Sequence, residues 1–103
     1  MKPIAQRVKV EILFDGPLAG AVTEIVTKAG AGGYTLFAAL GGSGDNGVWS
    51  GDGVSAADTK RLLLTVVTEE AAEQIVRGLE PLLDSQGIIV VTSQVGVVRA
   101  AKF

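Results

Sequence analysis

Between Gln6 and Phe14 the chain alternates, with Val8, Val10, Ile12 and Phe14 on one side and Arg7, Lys9, Glu11 and Leu13 on the other. A period of two, rich in β-branched residues, predicts a strand with one buried face. Asp15-Gly16-Pro17 stops it, and Pro17 suits the first position of a helix, where its missing N–H costs nothing. The period then changes. From Pro17 to Ala29, Leu18, Ala21, Val22, Ile25 and Ala29 recur at helical spacing, while Thr23, Glu24, Thr27 and Lys28 take the opposite face. Glu24 and Lys28 stand four apart, as a helical ion pair would, and Gly30 is placed to close the helix in a left-handed conformation.

Gly33 to Gly41, with Tyr34, Thr35, Leu36 and Phe37, predicts a second strand, apolar on both sides as a central or interface strand would be. From Gly42 to Thr59 the composition turns polar, with five glycines and three aspartates, and predicts one long loop. Loops of this length in compact domains commonly carry function. Asn46-Gly47 within it also suits a type I′ turn, which would extend part of the loop as a two-stranded arm. Lys60 to Thr68 predicts a third strand. Thr68 then caps a helix whose first turn holds Glu69 and Glu70 and whose stripe is Ala72, Ile75, Val76 and Leu79. Pro81 is expected to kink or end this helix near Leu82-Leu83. Gly87 to Val95 predicts the fourth strand, with Val97 to Phe103 continuing as an extended tail.

The order is β-α-β-β-α-β, so the expected fold is α+β and ferredoxin-like: one domain over 1–103, a four-stranded antiparallel sheet with two helices on one face. The other face would then be bare. Because three of the four strands are apolar on more than one side, self-association into a small closed oligomer is expected to cover it.

Composition narrows the chemistry. The chain has 103 residues, 48% of them apolar and 19% charged, with a formal charge of -2. That suits one folded domain and excludes a disordered segment, and no basic excess exists to hold a nucleic acid. There is no Cys and no His. Disulfides, thiolate catalysis, the commonest metal ligand and the commonest general acid–base group are thereby removed. No apolar h-region follows the N-terminal residues and no stretch is long enough for a membrane span, so a cytoplasmic protein with no direct membrane insertion is expected. It is not expected to be an enzyme, and no cofactor is required.

Single motifs say less. Gly42-Ser43-Gly44-Asp45-Asn46-Gly47 fits GxGxxG, but Val48-Trp49-Ser50-Gly51 after it is no helix, so a flexible loop base is preferred to a dinucleotide site. Asp45, Asp52 and Asp58 lack the spacing of a calcium loop and are taken as solvated carboxylates. Trp49, the only tryptophan, stands in the most polar stretch; it is either a contact for a partner or ligand, or packs locally. Arg99 either binds an anion across an interface or forms a surface ion pair.

Gly30-Ala31-Gly32-Gly33-Tyr34-Thr35, Gly41-Gly42-Ser43-Gly44, Thr68-Glu69-Glu70 and the closing Val97-Val98-Arg99-Ala100-Ala101-Lys102-Phe103 together resemble the PII-like signalling proteins, including their nitrogen regulatory and carboxysome-associated branches. The resemblance covers nearly the whole chain. It implies a homotrimer with the sheets lining the inside, a mobile T-loop at about 42–59, and a ligand site in each cleft between subunits. It further implies a small anionic effector, an adenine nucleotide (AMP or ADP) or bicarbonate. Through the T-loop such proteins act on a membrane transporter or another target protein.

By the same resemblance Thr35 falls near the base, Gly41, Gly42, Ser43 and Gly44 form the T-loop base, Gln86, Gly87 and Ile88 lie in the B-loop, and Arg99 reaches a neighbour's phosphates. Asn46, Trp49 and Asp52 would meet the partner. Asp45 and Asn46 stand where relatives with nucleotide sites place Arg, and Leu64 stands about where many carry glutamate. A carboxylate beside a phosphate is repulsive, so AMP, ADP or a smaller anion is expected rather than ATP. Two alternatives stay open: an ACT-like module sensing an amino acid, and an orphan relative with no nucleotide site that acts only by protein contacts.

Overall fold

The alternation of the first strand becomes β1 (Ile4–Asp15), one of the two inner strands of the main sheet. The computed structural model describes residues 4–45, 47–50 and 59–103. Val10, Ile12 and Phe14 are buried on one face of β1, and Lys9, Glu11 and Leu13 stay half-exposed on the other. A short 3-10 turn over Gly16–Leu18 carries Pro17 near its start and leads into α1 (Ala19–Lys28). Val22 and Val26 are the buried residues of α1, Ile25 packs beside them, and Ala21, expected on the apolar stripe, is exposed. Glu24 and Lys28 pair at 2.8 Å, and Gly30 follows at φ 100°.

The remaining elements are β2 (Thr35–Ala38), β3 (Gly41–Gly44), β4 (Gly47–Ser50), β5 (Lys60–Val67), α2 (Glu69–Gln86) and β6 (Ile89–Val98). Strands β2-β5-β1-β6 form the main sheet in that order, every neighbouring pair antiparallel. Each helix therefore links two parallel strands that have a third between them, which is the split βαβ pattern of the ferredoxin-like fold. Both helices lie on the face of Val10, Ile12, Phe14, Leu63 and Val67, and meet them in one core through Val22, Val26, Ala71, Ala72, Ile75 and Leu79. The one buried polar side chain among the described residues, Thr65, donates to the Gly33 carbonyl at 2.6 Å.

Thr68 caps α2 by accepting from the Ala71 N–H at 3.2 Å, with Glu69 and Glu70 in the first turn. Gly87 ends it in the left-handed region, φ 63°, a conformation that costs glycine little.

Three expectations about the chain's course are corrected. α2 does not stop near Leu82-Leu83 but runs through Pro81 to Gln86. Pro81 and Arg77 are exposed, so water can take the carbonyl that Pro81 leaves without a donor, while Leu82 and Leu83 pack on the core and hold the last turns. Of the two places expected for the second strand, central or interface, the central one is excluded: β2 is a short edge strand, and the chain leaves the sheet after Ala39 donates to the Lys60 carbonyl at 2.9 Å. The tail is not extended beyond Val98. Arg99 turns left-handed (φ 68°), Ala100–Lys102 form a 3-10 turn, and the Arg7 guanidinium donates to the carbonyls of Ala100 and Phe103 at 3.4 and 3.2 Å.

Candidate functional site

The two-stranded arm that Asn46-Gly47 suggested is present, but Gly47 is not in its turn. β3 and β4 form a separate hairpin in which Gly47 is already the first residue of β4, opposite Gly44, with Gly41 opposite Ser50, Gly42 opposite Trp49 and Ser43 opposite Val48. Asn46 itself, Asp52 and Asp58 lie outside the described residues. So does most of the segment from Gly51 onward that was expected to complete the long loop.

Between this hairpin and the bare face of the main sheet is a cleft of about 860 Å³. The sheet supplies an apolar floor. Leu13, Leu62 and Ile89 lie beside one another in register, Phe37 stands next to Leu62, and Val91 flanks Glu11. The hairpin forms the opposite wall with Gly41, Gly42, Ser43, Gly44 and Trp49, and the turn after α2 closes one end with Gly87 and Ile88. Two segments far apart in sequence, the glycine run and the Gly87–Ile88 turn, thus meet at one place.

The charges at the cleft are few. Lys60 is the one cation lining it among the described residues, against the carboxylates of Glu11 and Asp45. Lys60 pairs with Asp15 at 2.6 Å, and its Nζ stands 5.4 Å from the centre of the Trp49 ring. On the same strand Glu11 meets Lys9 at 3.6 Å. A cleft of this kind offers an apolar surface to a flat ring and glycine main chain, with one ammonium, to a small anion.

Of the residues singled out in the sequence, Gly41, Gly42, Ser43, Gly44, Gly87, Ile88 and Trp49 are brought together. Thr35, Gln86 and Arg99 are not. Thr35 is exposed on edge strand β2 opposite Leu64, Gln86 is the exposed last residue of α2, and Arg99 begins the C-terminal turn. Sequence reasoning missed Lys60, Glu11 and the apolar floor. Lys60 was legible only as the first residue of a strand, and Leu13 and Leu62 only as the apolar members of their strands' second face.

Among the described residues no group of His, Cys, Asp or Glu is arranged to hold a metal ion, and no helix is long and apolar enough to cross a membrane.

The chain matches the model of the nitrogen regulatory protein P-II family over residues 7–102. No curated protein matches it. Among solved structures it is similar to CPII, a nitrogen regulatory PII-like protein from Thiomonas intermedia K12, bound to ADP, AMP and bicarbonate. The TM-score is 0.94 at 25% identity, covering 100% of this chain and 98% of that one. CPII bound to ADP, AMP and acetate matches with a TM-score of 0.83 at 25% identity, covering 98% of this chain and 97% of that one. A PII-like chain from Thermus thermophilus matches with a TM-score of 0.83 at 28% identity, covering 100% and 99%.

Proposed function

Since the chain belongs to the nitrogen regulatory protein P-II family, we propose that it is a cytoplasmic, trimeric signal-transduction protein whose effector is a small anion, AMP, ADP or bicarbonate. The effector sits in the cleft, and the loop of about 42–59 passes the signal to a partner such as a membrane transporter. One observation carries this. The glycine-rich hairpin and the Gly87–Ile88 turn wall a single cleft in a chain that superposes end to end on CPII bound to ADP, AMP and bicarbonate. The family match removes the ACT-like alternative.

The bare face supports self-association, and the family resemblance implies that the copies number three. Leu13, Phe37, Leu62, Leu64, Ile89 and Val91 share that face, and among the described residues no helix covers it. In a closed ring the cleft of one copy faces another part of its neighbour, so Thr35 and Arg99, which do not line the cleft within one chain, can reach it from the next copy. The proposed ligand set is Gly41, Gly42, Ser43, Gly44, Gly87 and Ile88 from one copy, with Thr35 and Arg99 from the next. Glu11 and Asp45 set against one Lys60 favour a mono- or diphosphate or a monovalent anion over a triphosphate.

Light scattering and calorimetry test the reading together. The expected results are the mass of three chains and saturable heats with AMP, ADP and bicarbonate. Arg99→Ala should weaken the nucleotides more than bicarbonate. A monomer with no heat for any of the three would refute it. A second reading, a protein that works by contacts alone, draws on Leu40 and Val48, which are 89% and 87% exposed beside and on the hairpin; it predicts a trimer with no anion response.

A further inference from the structure

A two-stranded hairpin has little stability of its own, and among the described residues β3–β4 shares no ladder with the main sheet. Something else must hold it in place over the cleft. Gly42 and Trp49 are directly opposed across the hairpin, and the indole lies close against the glycine: a Cβ built on Gly42 would come within 2.5 Å of indole Cζ2 and 2.9 Å of Cε2. Only a residue without a side chain leaves that slot open. From the main sheet Lys60 approaches the same ring at 5.4 Å, and Asp15 at 2.6 Å fixes where its ammonium stands. A cation at that distance from an indole is attracted by the ring's negative face. The sequence Asp15, Lys60, Trp49, Gly42 thus runs without a gap from the sheet into the hairpin.

We propose that Trp49, seated in the Gly42 slot and drawn to Lys60, is a clasp that holds the glycine-rich strand β3 over the cleft, and that this positioning sets the affinity for the anion. The inference rests on the functional reading above and adds a residue to it. Trp49 acts as a positioning residue. With the indole seated, the Gly41–Gly44 main chain is already where an anion needs it; with the indole unseated, only a fraction of molecules is competent, and apparent affinity falls by that fraction. By the same linkage, an anion in the cleft favours the seated state and shields the ring.

Trp49 is the only tryptophan, so its fluorescence reports this contact directly. Trp49→Ala removes the indole, and Gly42→Ala keeps it but blocks its seat. Each is expected to weaken ADP and bicarbonate about three- to tenfold by calorimetry, and the double variant should lose no more than either alone, since both break one contact. Acrylamide should quench Trp49 more in Gly42→Ala and in Lys60→Met than in wild type, and saturating ADP should reduce quenching in wild type. Additive losses, wild-type affinity in both single variants, or equal quenching in wild type and Gly42→Ala would overturn the clasp while leaving the effector reading standing. A wild-type protein that takes up neither ADP nor bicarbonate would instead fail the effector reading, and with it the claim about affinity.

Discussion

Two phenylalanines mark the difference between the two faces of the main sheet. Phe14 is 1% exposed under the helices, and Phe37 is 48% exposed on the other side. The contrast recurs within single strands. In β5, Leu63 is fully buried between Leu62 and Leu64, which point the other way and remain half-exposed. Hydrophobicity alone does not separate these residues. What separates them is whether another element lies on top. The covered face has the helices, and among the described residues the bare face has only the hairpin, which leaves a cleft rather than a packed layer. Apolar surface left this way favours association, and a concave, largely apolar space left where the covering is incomplete has the character of a ligand cleft.

The sharpest way to break the comparison is to remove a side chain from the covered face. Phe14→Ala should cost about 3–5 kcal/mol in denaturant unfolding, a large part of the ~5–15 kcal/mol typical of a domain. The equivalent change on the bare face should act on assembly instead. Leu62→Asp sets an unpaired carboxylate between Leu13 and Phe37, and light scattering should show folded monomers with helical circular dichroism retained.

A finer test lies between the helices. Gly78 is exposed, so helix propensity alone says that Gly78→Ala gains about 1 kcal/mol. A Cβ there would meet Ile25 Cγ2 at 2.6 Å, and the expected net result is a loss of about 1 kcal/mol, read from chemical denaturation.

The smallest effect belongs to the outer surface of α1. Lys28 lowers the Glu24 pKa by hydrogen bond and charge, and Glu24 raises that of Lys28 in the same order of causes. The carboxylate's contribution is present above its ordinary value and lost as pH falls through its lowered one. The ammonium's contribution is present below the ordinary lysine value and lost as pH rises through its raised one. The pair's support is therefore flat through neutral pH. Both groups are fully exposed, so Glu24→Gln should lower Tm barely measurably and not at all in high salt.

Most of the fold was legible because its signals are local. Alternation set β1, the Glu24–Lys28 spacing lay on a real helix, Thr68 capped the next one, and Asn46-Gly47 pointed to a real hairpin though Gly47 proved to be in its second strand. Each of these depends on residues within a few positions of one another. Half of the candidate site was legible for the same reason, as runs of glycine that leave a main chain open. The family resemblance supplied what the runs meant.

By itself the sequence determined the order of the elements, their periods and most of their ends, because backbone sterics and near-neighbour side chains decide those. Tertiary structure alone decided the rest: that β2 is an edge, that α2 survives Pro81, that Lys60 meets Trp49, and that Gly41–Gly44 and Gly87–Ile88 share a cleft while Thr35 and Arg99 stand apart from it. Those outcomes depend on which distant segments come to lie against one another. A strand with leucine on both faces carries no local mark of which face the helices will cover.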